Sequence, residues 1–494
     1  MGSRLFARKP LSLLLEEMAG EQRLRRVLGP VQLTSLGVGA VIGTGIFVLT
    51  GVAAHDRSGP AMILSFAVAG FACTLAALCY AEFASMAPVA GSAYTYAFAT
   101  LGELPAWIIG WDLIIEYAVS AAAVSHGASH YFQDLLSIFQ LRLPQVLTDA
   151  PFDYNPALGR LVATGAYLDF PAMVIISLVT VVLVLGIRES ATFNAAMVML
   201  KVAIVIFVIV VGAFYVNPAN WHPFAPYGYT GINFFGKTVF GQTDAGGQPV
   251  GMLAGAGIIF FAYIGFDSVS THSEEARRPE RDVPFGIIAS LLICTTLYIG
   301  VGAVLTGMVP ARDIDINAPV SSAFRQVGLT WAQLLISLAA VVGITSVTLV
   351  TMLSQARVLL AMARDGLLPP FFAAVHPRFR TPWKSTLLTG IFVGLLSSLL
   401  PLRILADLVN IGTLLAFAIV CSAVLIMRRT HPDAKRPFRA PLVPIVPLVG
   451  IATCLLLMFS LPAENWLRLA VWLVLGLAIY FGYGRQHSVM ARAA

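Results

Sequence analysis

The sequence predicts an all-α membrane protein with twelve transmembrane helices, and three observations carry that expectation. Across 494 residues, 58% are hydrophobic and 11% charged, with a mean hydropathy of +0.83, a composition that no water-soluble globular chain shares. Twelve mostly apolar stretches begin near Gln32, Pro60, Leu104, Phe170, Phe193, Gly251, Pro284, Trp331, Lys384, Leu405, Pro444 and Asn465. Each reaches the length of about 20 residues that carries a helix across a bilayer. The first and sixth stretches also contain interruptions at membrane depth.

Ahead of the first span, the segment LFARKPLSLLLEEMAGEQRLRRVLG is basic and amphipathic. It lacks a continuous apolar core followed by a small-residue cleavage site, so it reads as a cytoplasmic surface segment and not as a cleaved signal. Twelve spans put both termini on one side, and with that side cytoplasmic it collects roughly two thirds of the Lys and Arg residues, as the positive-inside bias requires. The net charge of +6 then reflects topology and anionic lipid, with no nucleic-acid partner expected. Cys73, Cys79, Cys294, Cys421 and Cys454 all lie in apolar runs without metal-type spacing, so neither disulfides nor zinc are expected.

The first span reads LGVGAVIGTGIFVLTG, with Gly43, Thr44 and Gly45 where a membrane helix would keep its backbone bonds intact. Backbone groups freed there are tolerated only where they line a cavity or meet a ligand. The sixth span, GMLAGAGIIFFAYIGFDSVSTHSEE, is interrupted from Ala262 to Gly265, just before Asp267 and a polar face of Ser268, Ser270 and Thr271. Spans one and six open two successive sets of five, the placement expected of two inverted five-helix repeats with two further C-terminal helices.

Two broken helices have a specific use. Free N–H groups after Gly43 can receive a carboxylate, aided by the positive end of the helix dipole. Carbonyls of Val41, Ile42, Phe261 and Ile264 can face an ammonium, and together these ends would read an α-amino acid zwitterion. The competing reading is that the glycines only allow close helix packing, which suits Gly37 and Gly39 better than Gly43 and Gly45.

Charges inside spans are costly, on the order of 2.5 to 3.5 kcal/mol at a helix centre, which singles out Asp112, Glu116, Lys201 and Asp267. Glu116 falls near the midplane of the third span and is a candidate for contact with a substrate side chain. Asp112, one turn earlier, is expected to have a structural role, snorkelling or hydrogen-bonded near the cytoplasmic edge. Lys201 is the sole basic residue of its run; desolvation would let it gain and lose a proton, making it a candidate coupling group in place of sodium. Its alternative role is a fixed cation bonded to carbonyls of the first span.

With these residues in view, the chain resembles the amino acid, polyamine and organocation transporter superfamily, and within it the bacterial relatives of the cationic amino acid transporters. The resemblance covers nearly the whole sequence. It rests on GVGAVIGTGIFVLTG, CYAEFASMAPVAGSAYTYAFATLGELPAWIIGWDLIIEY, FFAYIGFDSVSTHSEEARRPERDVPFGI, AMARDGLLP and RPFRAPLVPIVPLVG. It implies the LeuT-type arrangement of two inverted five-helix repeats, with helices one and six broken around the substrate. By this resemblance Gly43, Thr44 and Gly45 bind the α-carboxylate, Phe261 is a gate over the substrate, and Lys201 is the fifth-helix lysine of proton-coupled members. Glu116 matches a third-helix glutamate of the subgroup, Ser120 joins the substrate-binding set, and Thr351 bounds the side-chain pocket.

The side-chain preference stays open between cationic substrates such as arginine, lysine and ornithine, which Glu116 and Thr351 would suit, and small neutral ones such as alanine. The expected organisation is a cytoplasmic N-terminus over 1–31, a first repeat over 32–216, an external loop over 217–250 and a second repeat over 251–428. A cytoplasmic loop over 429–443, two helices over 444–485 and a cytoplasmic tail over 486–494 complete it. No metalloprotease motif, phosphate loop or catalytic set occurs, so no enzyme is expected, and no cofactor beyond the coupling proton. A non-transporting amino acid sensor, or an exchanger of amino acids or polyamines, is the alternative function. His126 and His130, one turn apart, show no third metal ligand in the sequence and read as packing or wetted surface. Glu82 is expected to tie down its adjoining loop, and Pro88 to Leu101 to form an interfacial helix. The chain is placed in the plasma or inner membrane, multi-pass, with both termini cytoplasmic.

Overall fold

A computed structural model describes residues 28–86, 92–155, 160–185, 191–234, 237–244, 247–379 and 381–489. The amphipathic segment before residue 28 and the part of the expected interfacial helix at Pro88 lie outside the described residues. In chain order the helices are α1 (Pro30–Val41), α2 (Thr44–Phe47), α3 (Leu49–Val52), α4 (Met62–Met86), α5 (Ser92–Thr100), α6 (Glu103–Ile138), α7 (Phe170–Leu185) and α8 (Ala191–Ala213). They continue with α9 (Met252–Ile259), α10 (Ser268–Thr271), α11 (Pro279–Met308), α12 (Pro319–Gln326), α13 (Thr330–Arg364), α14 (Trp383–Leu399), α15 (Leu402–Thr430), α16 (Ile445–Phe459), α17 (Ala463–Ile479) and α18 (Arg485–His487). Three short hairpins, β1–β2 (Phe152–Asn155 with Arg160–Ala163), β3–β4 (Ile232–Phe234 with Lys237–Phe240) and β5–β6 (Gln242–Thr243 with Pro249–Val250), lie in the connections.

Among the described residues, eight helices are long and apolar enough to cross a membrane. Pro30–Val41, Phe170–Leu185, Trp383–Leu399 and Ile445–Phe459 are apolar but shorter. The chain is therefore a multi-pass helical membrane protein. Helix ends follow local chemistry: Pro279 occupies the first turn of α11, where its missing N–H is no loss, and Glu280 and Asp282 face the positive end of the dipole. Arg428 and Arg429 sit in the last turn of α15, at its negative end. The seventh apolar stretch thus starts ahead of the expected Pro284, which lies inside α11.

The packing separates a dry centre from an oily rim. α6 is buried along most of its length, packed most extensively on α13, while α4 packs on α11. α7, α8, α14 and α17 instead expose large apolar side chains, Leu178, Met199, Ile391 and Val474 among them. An outward apolar face is unfavourable in water and neutral in lipid, so these helices face the bilayer. α7 packs against α14, so three helices of the first half each meet a helix of the second.

Candidate functional site

Both expected helix breaks are present, and they touch. α1 ends at Val41; Ile42 is extended (φ −73°, ψ 98°), Gly43 follows at φ −153°, ψ −143°, and helix resumes at Thr44. In the sixth segment α9 gives way to a tight turn over Phe260–Tyr263, then extended Ile264, then Gly265 at φ +115°, before α10. A Cβ on Gly45 would lie 2.3 Å from Ala262 Cα, and one on Gly265 would lie 2.9 Å from the Ala40 carbonyl oxygen. Glycine at these two positions lets the interrupted backbones meet, and at Gly265 the positive φ disfavours any other residue.

A buried tyrosine joins the two breaks. The Tyr298 hydroxyl of α11 lies 2.8 Å from the Val41 carbonyl oxygen and 3.0 Å from that of Ala262. One hydroxyl proton serves two carbonyls, one from each interrupted segment. The expectation that the Val41 carbonyl is free for an ammonium needs correction, because Tyr298 already occupies part of its acceptor capacity.

Beside the breaks lies a small cavity lined by Gly43, Thr44, Gly45, Phe261, Ile264, Gly265 and Ser268 from the interrupted segments. α6 adds Tyr117, Ser120 and Val124; α13 adds Val347, Val350, Thr351 and Ser354; Ala40 and Val41 complete the lining. Its free interior is about 20 Å³, room for a single water and too little for an amino acid, so this conformation is closed. Phe261 and Ile264 are almost fully buried over it.

A family description of amino acid permease matches residues 28–479. The chain belongs to the amino acid permease family. It is 45% identical over 488 residues to the methylthioribose transporter of Bacillus subtilis (strain 168), covering 99% of each chain. It is equally 45% identical, over 489 residues and 99% of each chain, to the branched-chain amino acid permease BcaP of the same organism. With the vacuolar cationic amino acid transporter 4 of Arabidopsis thaliana it shares 36% over 438 residues, 88% of this chain and 68% of that one. The permease is a transporter, not an enzyme.

Several expected site residues stand elsewhere than foreseen. Glu116 is buried but does not line the cavity: it precedes Tyr117 by one residue, about 100° of helix rotation. Ile42 supplies extended backbone, yet its side chain packs in the core and not on the cavity. Thr44 lines the cavity with its hydroxyl already donating to the Val124 carbonyl at 3.2 Å, and Thr351 donates to Val347. Asp112 neither snorkels nor pairs: it is 1% exposed, and among the described residues no donor meets either carboxylate oxygen.

Lys201 of α8 is buried, with Nζ donating to the Gly39 carbonyl in the last turn of α1 at 2.7 Å. A Cβ on Gly343 of α13 would sit 3.2 Å from its Cγ, so the lysine stem fills a close slot between α1 and α13. The ammonium therefore touches the helix that ends at the cavity without lining the cavity itself. Asp267, in the sixth break, accepts from the Tyr117 hydroxyl at 2.8 Å.

Tyr117, Ser354 and Tyr298 were not singled out from the sequence. A signal existed for one set: Val347, Val350, Thr351 and Ser354 recur at i, i+3, i+4 and i+7, the spacing of one helix face. None marked Tyr298, whose importance lies in the contact between segments distant in sequence. The paired histidines also change meaning, because Asp149 approaches both as a third potential ligand.

Glu82 fastens more than its adjoining loop. Arg428 of α15 donates from Nε and Nη2 to its two oxygens at 3.0 and 2.7 Å, and the Ala440 N–H donates to Oε2 at 2.8 Å. This two-pronged pair locks α4, α15 and the loop before α16 together. Removing one partner of a buried pair costs about 3–5 kcal/mol, so Glu82→Ala is expected to lower the thermal unfolding midpoint of the purified permease by several degrees, as a melting curve will read.

Proposed function

We propose that this permease imports neutral L-amino acids across the plasma or inner membrane, driven by protons, through alternating access. The observation that carries the reading is the cavity's composition. Backbone from two touching helix breaks supplies its polar end, and Val124, Phe261, Ile264, Val347 and Val350 supply the rest without any carboxylate. A cationic side chain there would bury a charge with no carboxylate on the cavity wall to pair it, at a cost of several kcal/mol. Glu116, the residue that would favour arginine or lysine, does not line the cavity.

The zwitterion reading assigns the carboxylate to N–H groups at Gly43, Thr44 and Gly45, which begin a helix and so have no intrahelical acceptor. The ammonium is assigned to carbonyls of Ile264 and its neighbours in the sixth break, with Phe261 closing over the solute. Ser120, Thr351 and Ser354 add hydroxyls at the side-chain end.

Twelve spans in two inverted five-helix repeats, over 32–216 and 251–428, are the topology this reading requires. The pairings of α4 with α11, α6 with α13 and α7 with α14 support it, because each joins helices five spans apart. Both termini are then cytoplasmic. In the transport cycle the bundle of spans one, two, six and seven rocks against the rest, and protonation of Lys201 must favour one state for coupling to follow.

The test is uptake into proteoliposomes of leucine, alanine, arginine and methylthioribose, each labelled. Leucine or alanine is expected to enter at least tenfold faster than arginine. Faster arginine entry would overturn the neutral preference, methylthioribose alone would overturn the amino acid reading, and binding without flux would favour a sensor. Glu116→Gln is expected to leave the order of substrates unchanged, checked in the same assay.

A further inference from the structure

Outside the cavity, α6 and the loop that follows it bring together a second constellation. His126 and His130 lie one turn apart on α6, both buried, and Asp149 approaches them from the loop between α6 and α7. Its Oδ1 is 3.5 Å from His126 Nε2 and 3.8 Å from His130 Nε2, and the ligand atoms of the three residues all lie within 4.8 Å of one another. A tetrahedral zinc with bonds of about 2.0–2.1 Å spaces its donors roughly 3.3 Å apart. The two carboxylate–imidazole spacings lie within about half an ångström of that value.

We propose that His126, His130 and Asp149 bind a divalent transition metal of the zinc class, with water at the fourth position. Two features prepare the site. Asp169, fully buried, places Oδ2 2.9 Å from His126 Nδ1, a carboxylate on that side of the ring that orients it with Nε2 toward Asp149. Asp169 is itself held: its Oδ1 accepts from Ser129 Oγ at 2.6 Å and from the Ala172 N–H at 3.0 Å. Asp149 is about one third exposed, which gives an ion a path from water.

The site bears on the transporter because of where it sits on α6. Val124, whose carbonyl receives the Thr44 hydroxyl, and Gly127, against which Thr44 packs, flank His126. A metal here clamps the loop to the stretch of α6 that seats the broken first helix. Bound metal therefore opposes motion of the first break against α6 and slows transport, whichever solute is carried.

Metal binding to the purified full-length protein is the test, with zinc by equilibrium dialysis and cobalt(II) by visible absorption. One ion per chain and the intense visible bands of tetrahedral cobalt are expected. Asp149→Asn and His130→Gln should each weaken binding at least tenfold, and Asp169→Asn about 10–100-fold, as loss of an orienting carboxylate does. Zinc should slow uptake several-fold in the wild type and not in Asp149→Asn, whose partly exposed position keeps the test valid if the His130 variant fails to fold. An octahedral aqueous cobalt spectrum with the wild type, or unaltered zinc affinity in Asp149→Asn, would leave a hydrogen-bonded acid–histidine cluster and overturn the proposal.

Discussion

Gly45→Ala is expected to reduce uptake of every substrate by about 100-fold while the protein still reaches the membrane. The new methyl would meet Ala262 Cα at 2.3 Å and its Cβ at 2.5 Å, so a backbone and not a flexible side chain must give way. Overpacking a filled interior costs about 1–3 kcal/mol, and contact with backbone places this case at the upper end. At about 1.4 kcal/mol per tenfold that is roughly two decades in affinity. The two breaks would be forced apart, and with them the ends that hold carboxylate and ammonium. Uptake of labelled leucine, normalised to protein in the membrane, checks the effect. Gly43→Ala makes a graded comparison, since the nearest atoms to its Cβ would be those of the Val347 side chain, at 3.1 Å and beyond, and not backbone.

Lys201→Met is expected to abolish accumulation of substrate against its gradient and to spare exchange of labelled for unlabelled substrate across the same membrane. Methionine keeps the length and apolar stem that fill the slot beside Gly343, and loses only the charge and the bond to the Gly39 carbonyl. That carbonyl lies in the last turn of α1, so a proton added or removed at Nζ alters what holds the end of the broken helix. Loss of accumulation with exchange intact separates coupling from binding. Loss of both would make Lys201 a fixed structural cation, and accumulation still driven by a proton gradient would remove it from coupling. Sodium removal should change nothing in the wild type.

Much of this was legible in the sequence because it depends on local chemistry. Gly43 to Gly45 and Ala262 to Gly265 announce their breaks through residues that loosen a helix within an apolar run, and both breaks are found where the pattern places them. Lys201 stands out because one ammonium in a long apolar run must find a carbonyl. Glu116 shows the limit: its depth along α6 could be counted, but not its rotation, and one residue separates it from Tyr117 on the cavity face. Tyr298 and Asp149 were invisible for a related reason. Each acts across a distance in sequence, Tyr298 on Val41 and Ala262, Asp149 on His126 and His130, and no local pattern encodes such a meeting.

The central claim, that the two touching breaks read both ends of an amino acid, is tested most directly by competition against labelled leucine in proteoliposomes. The competitors are leucine, leucinamide, which lacks the carboxylate, and 4-methylpentanoate, which lacks the amine. The account predicts that leucine displaces the label and that each truncated analogue competes at least 100-fold more weakly, since either leaves a buried polar end unpaired. Equal competition by either analogue would contradict it.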